Sequence, residues 1–115
     1  KKVLLCSGQV YYDLVQERSA RKLDDVAIVR IEQLYPWPAE MLSKILNTYS
    51  GAKEFVWVQE EPRNQGAGGF MLLNLPDIIG RPLTLVSRPA SSSPAVGSHH
   101  RHEEEQHAVV AEAFA

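Results

Sequence analysis

Val3-Leu-Leu-Cys6 is an unbroken apolar run closed by Ser7-Gly8. A run of that length with a turn behind it predicts a short strand covered on both faces. Tyr11, Leu14 and Val15 then recur at helical spacing, with Asp13, Glu17, Arg18 and Arg21 on the polar side and Asp24-Asp25 as the breaker. Val26-Ala-Ile-Val29 predicts a second strand. Tyr35-Pro-Trp-Pro38 is a stiff connector, because proline fixes its own φ and restricts the residue before it. Met41, Leu42, Ile45, Leu46 and Tyr49 give the next helix one apolar face, and Ser50-Gly51 ends it.

The third strand, Phe55-Val-Trp-Val58, is β-branched and aromatic throughout, and Gln59, Glu60 and Glu61 follow at its carboxyl end before Pro62 stops it. A glycine-rich loop, Gln65-Gly-Ala-Gly-Gly69, leads to a short helix over Phe70 to Leu75, ended by Pro76 or soon after. Leu83-Thr-Leu-Val86 is the fourth strand, and Pro89 to Gly97 reads as a small-residue linker. Ser98 is placed to cap a last helix that reaches Phe114, with Glu103, Glu104 and Glu105 in its early turns and Ala108, Val109, Val110, Ala111, Ala113 and Phe114 on its packing side. Strand–helix alternation repeated four times predicts an α/β layer fold with a mostly parallel sheet and helices on both faces.

Composition narrows the function. A chain of 115 residues supports one core, and a net charge of −2 argues against a nucleic-acid partner. No apolar run approaches the roughly 20 residues of a membrane span. The single cysteine, Cys6, cannot form an internal disulfide and reads as a small buried residue. The chain opens on a strand without an initiating Met, so it is read as one domain, residues 1–115, excised from a longer polypeptide.

Candidate chemistry sits mostly at strand ends. Glu60-Glu61 offers acid/base work if burial raises one carboxyl, but adjacent strand residues point opposite ways, and solvation or pairing with Arg63 is the preferred reading. His99, His100, His102 and His107 lie near three glutamates, yet no second ligand cluster supports a metal, so a solvated helix start is preferred. His102, one turn before the apolar face, is the residue suited to anchor a loop or interface. The glycine loop fits neither the dinucleotide nor the Walker pattern. No catalytic residue and no metal ligand is assigned.

Four segments together carry a family resemblance: Val3-Leu-Leu-Cys-Ser-Gly8; Val26-Ala-Ile-Val-Arg-Ile-Glu-Gln-Leu-Tyr-Pro36; Trp57-Val-Gln-Glu-Glu-Pro62 with Asn64-Gln-Gly-Ala67; and Arg88-Pro-Ala-Ser-Ser-Ser-Pro-Ala95 with Gly97-Ser98. The chain closely resembles the carboxyl-terminal domain of the thiamine-diphosphate-dependent 2-oxoglutarate dehydrogenase first component. Gln9 departs from the family's usual lysine, and Gly68 stands where an aromatic commonly follows.

The resemblance implies a transketolase carboxyl-terminal-like, three-layer α/β/α sandwich whose sheet carries one antiparallel edge strand that normally precedes the first strand seen here. It implies a parent that decarboxylates 2-oxoglutarate on thiamine diphosphate with Mg2+, both held by preceding domains, and passes succinyl to lipoamide in the tricarboxylic acid cycle. The implied partners are those preceding domains, a second copy in a homodimer and the dihydrolipoyl succinyltransferase complex. The implied effector is acetyl-coenzyme A or AMP, and the implied compartment is bacterial cytoplasm or mitochondrial matrix. Effector or interface contacts are expected from Ser7, Gln59, Arg63, Asn64, Gln65 and Arg88, which supply donors and acceptors at strand ends, with arginine as the anion fork. Two rival readings stand beside this one. The first is a non-catalytic regulatory module for an acyl-coenzyme A or nucleotide. The second is a dimerisation domain using Trp37, Phe70 and Met71 as an exposed apolar patch.

Overall fold

The computed structural model describes residues 2–32, 38–49, 51–62, 64–88 and 99–115, with 99–102 as backbone. Eight elements alternate: β1 (Lys2–Cys6), α1 (Val10–Ala20), β2 (Val26–Arg30), α2 (Ala39–Asn47), β3 (Glu54–Pro62), α3 (Gly68–Ile79), β4 (Thr84–Arg88) and α4 (His99–Ala113). The sheet order is β2-β1-β3-β4, and every pairing among the described residues is parallel. The expected α/β/α sandwich is therefore present.

The two-residue period of the strands sorts the core into two halves. Val3, Leu5, Phe55 and Trp57 face one side and pack on Leu42 and Leu46 of α2 and on Met71 and Leu75 of α3. Leu4, Cys6, Val56, Val58 and Val86 face the other, against Val10 and Leu14 of α1 and Val109, Val110 and Ala113 of α4. Each large side chain buried this way is worth about 2 kcal/mol. Parallel pairing places Leu5 beside both Val29 and Trp57, so the alternation stays in phase across the sheet.

Several expectations need correction. The α3 helix does not end at Pro76: it runs twelve residues, from Gly68 to Ile79, with Pro76 inside it. Its stop is Gly80, at φ 68°, whose N–H donates to Pro76 O at 2.8 Å. Met71, Leu75, Ile78 and Ile79 continue one packed stripe past the proline, and that packing offsets the missing backbone donor. The β3 strand likewise runs through Pro62, with a register shift against β4 between Val58 and Pro62 that admits the ring. The α1 helix ends at Ala20, and Lys22 takes a left-handed φ of 56°, so the chain turns before Asp24-Asp25. On α2, Leu42 and Leu46 are buried while Met41 and Ile45 are exposed. On α4, Ala108 and Ala111 are exposed, and the packing side is Val109, Val110, Ala113 and half-buried Phe114.

The proposed apolar patch fails at Met71, which is 0% exposed in the core, and Phe70 is half-buried. The exposed apolar residue on that helix is Leu73, at 80%. Trp37, the Tyr35–Trp37 connector and the Ser98 cap lie outside the described residues.

Candidate functional site

From β1 the chain crosses through α1 to β2; from β3 it crosses through α3 to β4 on the opposite face. The two crossovers diverge at the β1/β3 boundary and leave a crevice outside the carboxyl ends of those strands. A cleft of about 310 Å3 opens there, lined by Gln9, Tyr12, Asp13, Glu60 and Gln106. Half-buried Ser7 and the Gly8 turn, at φ 79°, lie directly after β1.

Adjacent residues of β3 serve opposite faces. Gln59 continues the Phe55–Trp57 side and is only 2% exposed. Its Oε1 accepts from Trp57 Nε1 at 3.0 Å. Its Nε2 donates to the carbonyls of Pro62 at 2.9 Å, Gln65 at 2.8 Å and Glu61 at 3.3 Å. One amide thus ties the strand end, the Pro62 turn and the glycine loop together. A Cβ on Gly68 would stand 2.7 Å from Gln59 Oε1 and 3.0 Å from Leu85 Cδ1, so glycine is what lets α3 start against this anchor.

Glu60 turns toward α1 and α4. Its Oε1 and Asp13 Oδ2 both accept from Gln106 Nε2, at 3.3 and 2.9 Å. The orientation of that amide is fixed from behind, because Arg88 Nη2 donates to Gln106 Oε1 at 2.9 Å. Arg88 is 5% exposed, and its Nε lies 4.0 Å from Glu105 Oε1. Burial holds the Glu60 carboxyl above the usual carboxylate range; Glu61 and Asp13 push the same way, against Arg88 and the Gln106 amide.

A second polar corner caps β1 and β2. Gly8 N–H donates to Glu32 Oε1 at 3.0 Å, and Arg30 Nε donates to the same oxygen. Those two donors, the backbone one first, hold Glu32 below the usual range. Arg30 also donates to Tyr12 Oη at 3.2 Å, and its guanidinium lies 5.2 Å from the Tyr11 and 5.1 Å from the Tyr12 ring centre. Cys6 lies buried beneath this edge, and burial pushes its thiol up to about 12, which disfavours the thiolate.

The six residues expected to meet a ligand are distributed unevenly. Gln59 and Gln65 belong to the loop anchor, with the Gln65 carbonyl taken by Gln59. Arg88 stands behind Gln106, while Asn64 is exposed. Arg63 lies outside the described residues. Ser7 is the one that sits directly after β1, at the switch point. Asp13 and Gln106 were not singled out from the sequence. A signal existed for Gln106: it begins the series Gln106, Val109, Val110, Ala113, a polar residue at the head of the buried stripe. His107 is exposed, and the side chains of His99, His100 and His102 are outside the description.

Order 2-1-3-4, with two helices on each face, defines a doubly wound parallel α/β domain whose crevice opens at β1/β3. A family model described as 2-oxoglutarate dehydrogenase C-terminal matches residues 1–114, and the chain belongs to that family. It is 47% identical, over all of its length, to a 2-oxoglutarate dehydrogenase E1 component of Cupriavidus necator. Over 99% of its length it is 47% identical to the E1 component of Haemophilus influenzae, and 44% identical to a multifunctional 2-oxoglutarate metabolism enzyme of Mycolicibacterium vanbaalenii. The chain spans only 12% of the first two relatives and 9% of the third.

Thiamine diphosphate is held through magnesium, which needs a set of oxygen ligands. No group of three or more His, Cys, Asp or Glu stands where it could hold a metal among the described residues. Also among the described residues, no helix is long and apolar enough to cross a membrane.

Proposed function

We propose that this chain serves as the carboxyl-terminal domain of a 2-oxoglutarate dehydrogenase first component. The parent decarboxylates 2-oxoglutarate on thiamine diphosphate, held with Mg2+ by its other domains, and transfers succinyl to lipoamide on the dihydrolipoyl succinyltransferase complex. The cofactor supplies the carbanion chemistry, and the protein positions it. This domain's share is assembly: it braces the preceding domains and the homodimer. The observation that carries the reading is the family match over residues 1–114.

The test is removal of residues 1–115 from the full-length polypeptide, with 2-oxoglutarate-dependent ferricyanide reduction and sedimentation as readouts. Loss of turnover together with loss of the dimer is expected. A truncated polypeptide that still turns over at the full rate as a dimer would remove the assembly role. The domain alone is expected to show no decarboxylation and no heat on titration with thiamine diphosphate.

A second role, effector reading, is favoured by the crevice at the switch point. Ser7, directly after β1, is the described residue that would meet an acetyl-coenzyme A or AMP phosphate, with Arg63 and Asn64 next in the sequence after Pro62. Calorimetry on the full-length polypeptide with each compound decides it: heat lost on Ser7→Ala supports the role, and heat unchanged in that variant removes Ser7 from the site.

A further inference from the structure

The two helix layers present different outer surfaces. Among the described residues, the large apolar side chains left exposed are Tyr12 on α1, Met41 and Ile45 on α2, and Leu72 and Leu73 on α3. Tyr12 is already engaged: its ring meets Tyr11 edge to face, and Arg30 lies over it and donates to its hydroxyl. The other four all belong to the α2/α3 layer.

Those two helices touch each other on one face of the sheet and share the core around Leu42, Leu46, Met71 and Leu75. Met41 and Ile45 stand one turn apart, each directly before a buried leucine of α2. Leu72 and Leu73 directly follow buried Met71 on α3. On both helices the apolar arc is therefore wider than the arc the sheet covers. Glu40, Lys44, Asn47 and Asp77 are exposed on the same helices. An apolar centre beside polar residues of both charges is the make-up of a protein–protein contact.

Size selects what covers this face. Met41 is 63% and Leu73 80% exposed, while Ile45 and Leu72 show less than half of their surface. Four such side chains are a small apolar centre against the roughly 800 Å2 that each partner of a stable, freely associating pair buries. Within one polypeptide, a tether holds two surfaces at roughly millimolar effective concentration, so a smaller centre suffices. The E1 relatives have the body to meet it, since this chain spans only 12% of the first two.

We propose that the outer face of α2 and α3, centred on Met41, Ile45, Leu72 and Leu73, docks against the remainder of the parent polypeptide within one subunit. The inference rests on the assembly reading above and names the surface through which the bracing acts. The partner it fits is an apolar patch on the same chain outside residues 1–115.

The full-length wild-type protein gives the first test, because the domain holds one exposed and one buried methionine, Met41 and Met71. Peroxide oxidation, read by peptide mass, is expected to convert Met41 no more than about threefold faster than Met71, since the centre of a packed interface excludes solvent as a core does. A larger ratio would leave the face open to water and overturn the docking. The second test identifies the occupant: a photoreactive benzophenone amino acid replaces Leu73 in the full-length protein. The expected product is a crosslink to a peptide outside residues 1–115, at the mass of a single polypeptide. A product of doubled mass would assign the face to a second copy, and a crosslink confined to residues 1–115, or none, would leave it without a partner; each of these overturns the proposal. Truncation of the domain tests the assembly reading separately: if truncation abolishes the dimer while residue 73 finds no partner, assembly stands and this face is not its surface.

Discussion

Gln59 and Glu60 are neighbours on one strand, yet they anchor two regions with opposite physics. On the α2/α3 side, Gln59 is sealed in and neutral, its amide oxygen accepting from Trp57 and its amide nitrogen donating to backbone carbonyls. On the α1/α4 side, Glu60 is half-buried and faces a second carboxylate, and it shares one amide donor with that group. The first arrangement is what a neutral polar group needs in order to be buried without penalty. The second keeps a charge that its surroundings disfavour, as sites of binding or switching often do. Position at a strand end therefore does not by itself mark a functional residue; whether its bonding capacity is already consumed does.

The comparison breaks most sharply at Gln59. Gln59→Leu leaves the Trp57 N–H and the Pro62 and Gln65 carbonyls without their partner in a dry site. A loss of about 3 kcal/mol in urea unfolding is expected, since each abandoned buried group costs about 1–3 kcal/mol and local relaxation recovers some of it. A loss under about 1 kcal/mol would mean that water already serves these groups.

Gly68→Ala attacks the same anchor from the helix side. Its new Cβ meets Gln59 Oε1, which is pinned by Trp57 and cannot swing away freely. Overpacking of this kind costs about 1–3 kcal/mol, partly offset by the better helix propensity of alanine. The double variant Gln59→Leu/Gly68→Ala should lose less than the sum, because one contact is shared.

Chemical labelling probes the other face. At pH 8 the Cys6 thiol, pushed up to about 12 by burial, is almost wholly protonated. Alkylation of the native protein should run orders of magnitude slower than that of the unfolded chain, whose thiol lies near the ordinary value of about 8.5. Comparable rates would show the α1/α4 face open to solvent.

Much of this was legible in the sequence. The apolar runs Val3–Cys6 and Phe55–Val58 predict strands that the structure contains, because two-sided burial writes itself into an unbroken apolar string. The Pro76 stop misled because local propensity favours ending a helix there, while packing of Ile78 and Ile79 extends it. The site was half legible. The strand-end position of Arg88 follows from spacing alone, whereas Gln59 and Glu60 lie within β3, which runs on to Pro62. Their partners Asp13 and Gln106 lie 93 residues apart in the chain, and no local pattern pairs them.

The smallest expected effect is the most discriminating. Glu60→Gln keeps an oxygen for the Gln106 amide and gives Asp13 a donor where it now has a charged neighbour. The folded carboxyl sits above its unfolded value, so the protein binds the Glu60 proton more tightly when folded. Stability from this group is then full below the ordinary carboxylate range and declines as pH rises from there to the raised value. At neutral pH the substitution should stabilise by about 0.5 kcal/mol, kept modest because one side of Glu60 meets solvent. Its advantage should shrink to nothing on acidification below about pH 4, where the wild-type carboxyl is protonated in both states. Urea midpoints for both proteins across that range give the answer. A substitution that destabilises at neutral pH would mean the charged carboxylate earns more from Arg88 than it loses to Asp13 and Glu61, and the contrast between the two faces would collapse.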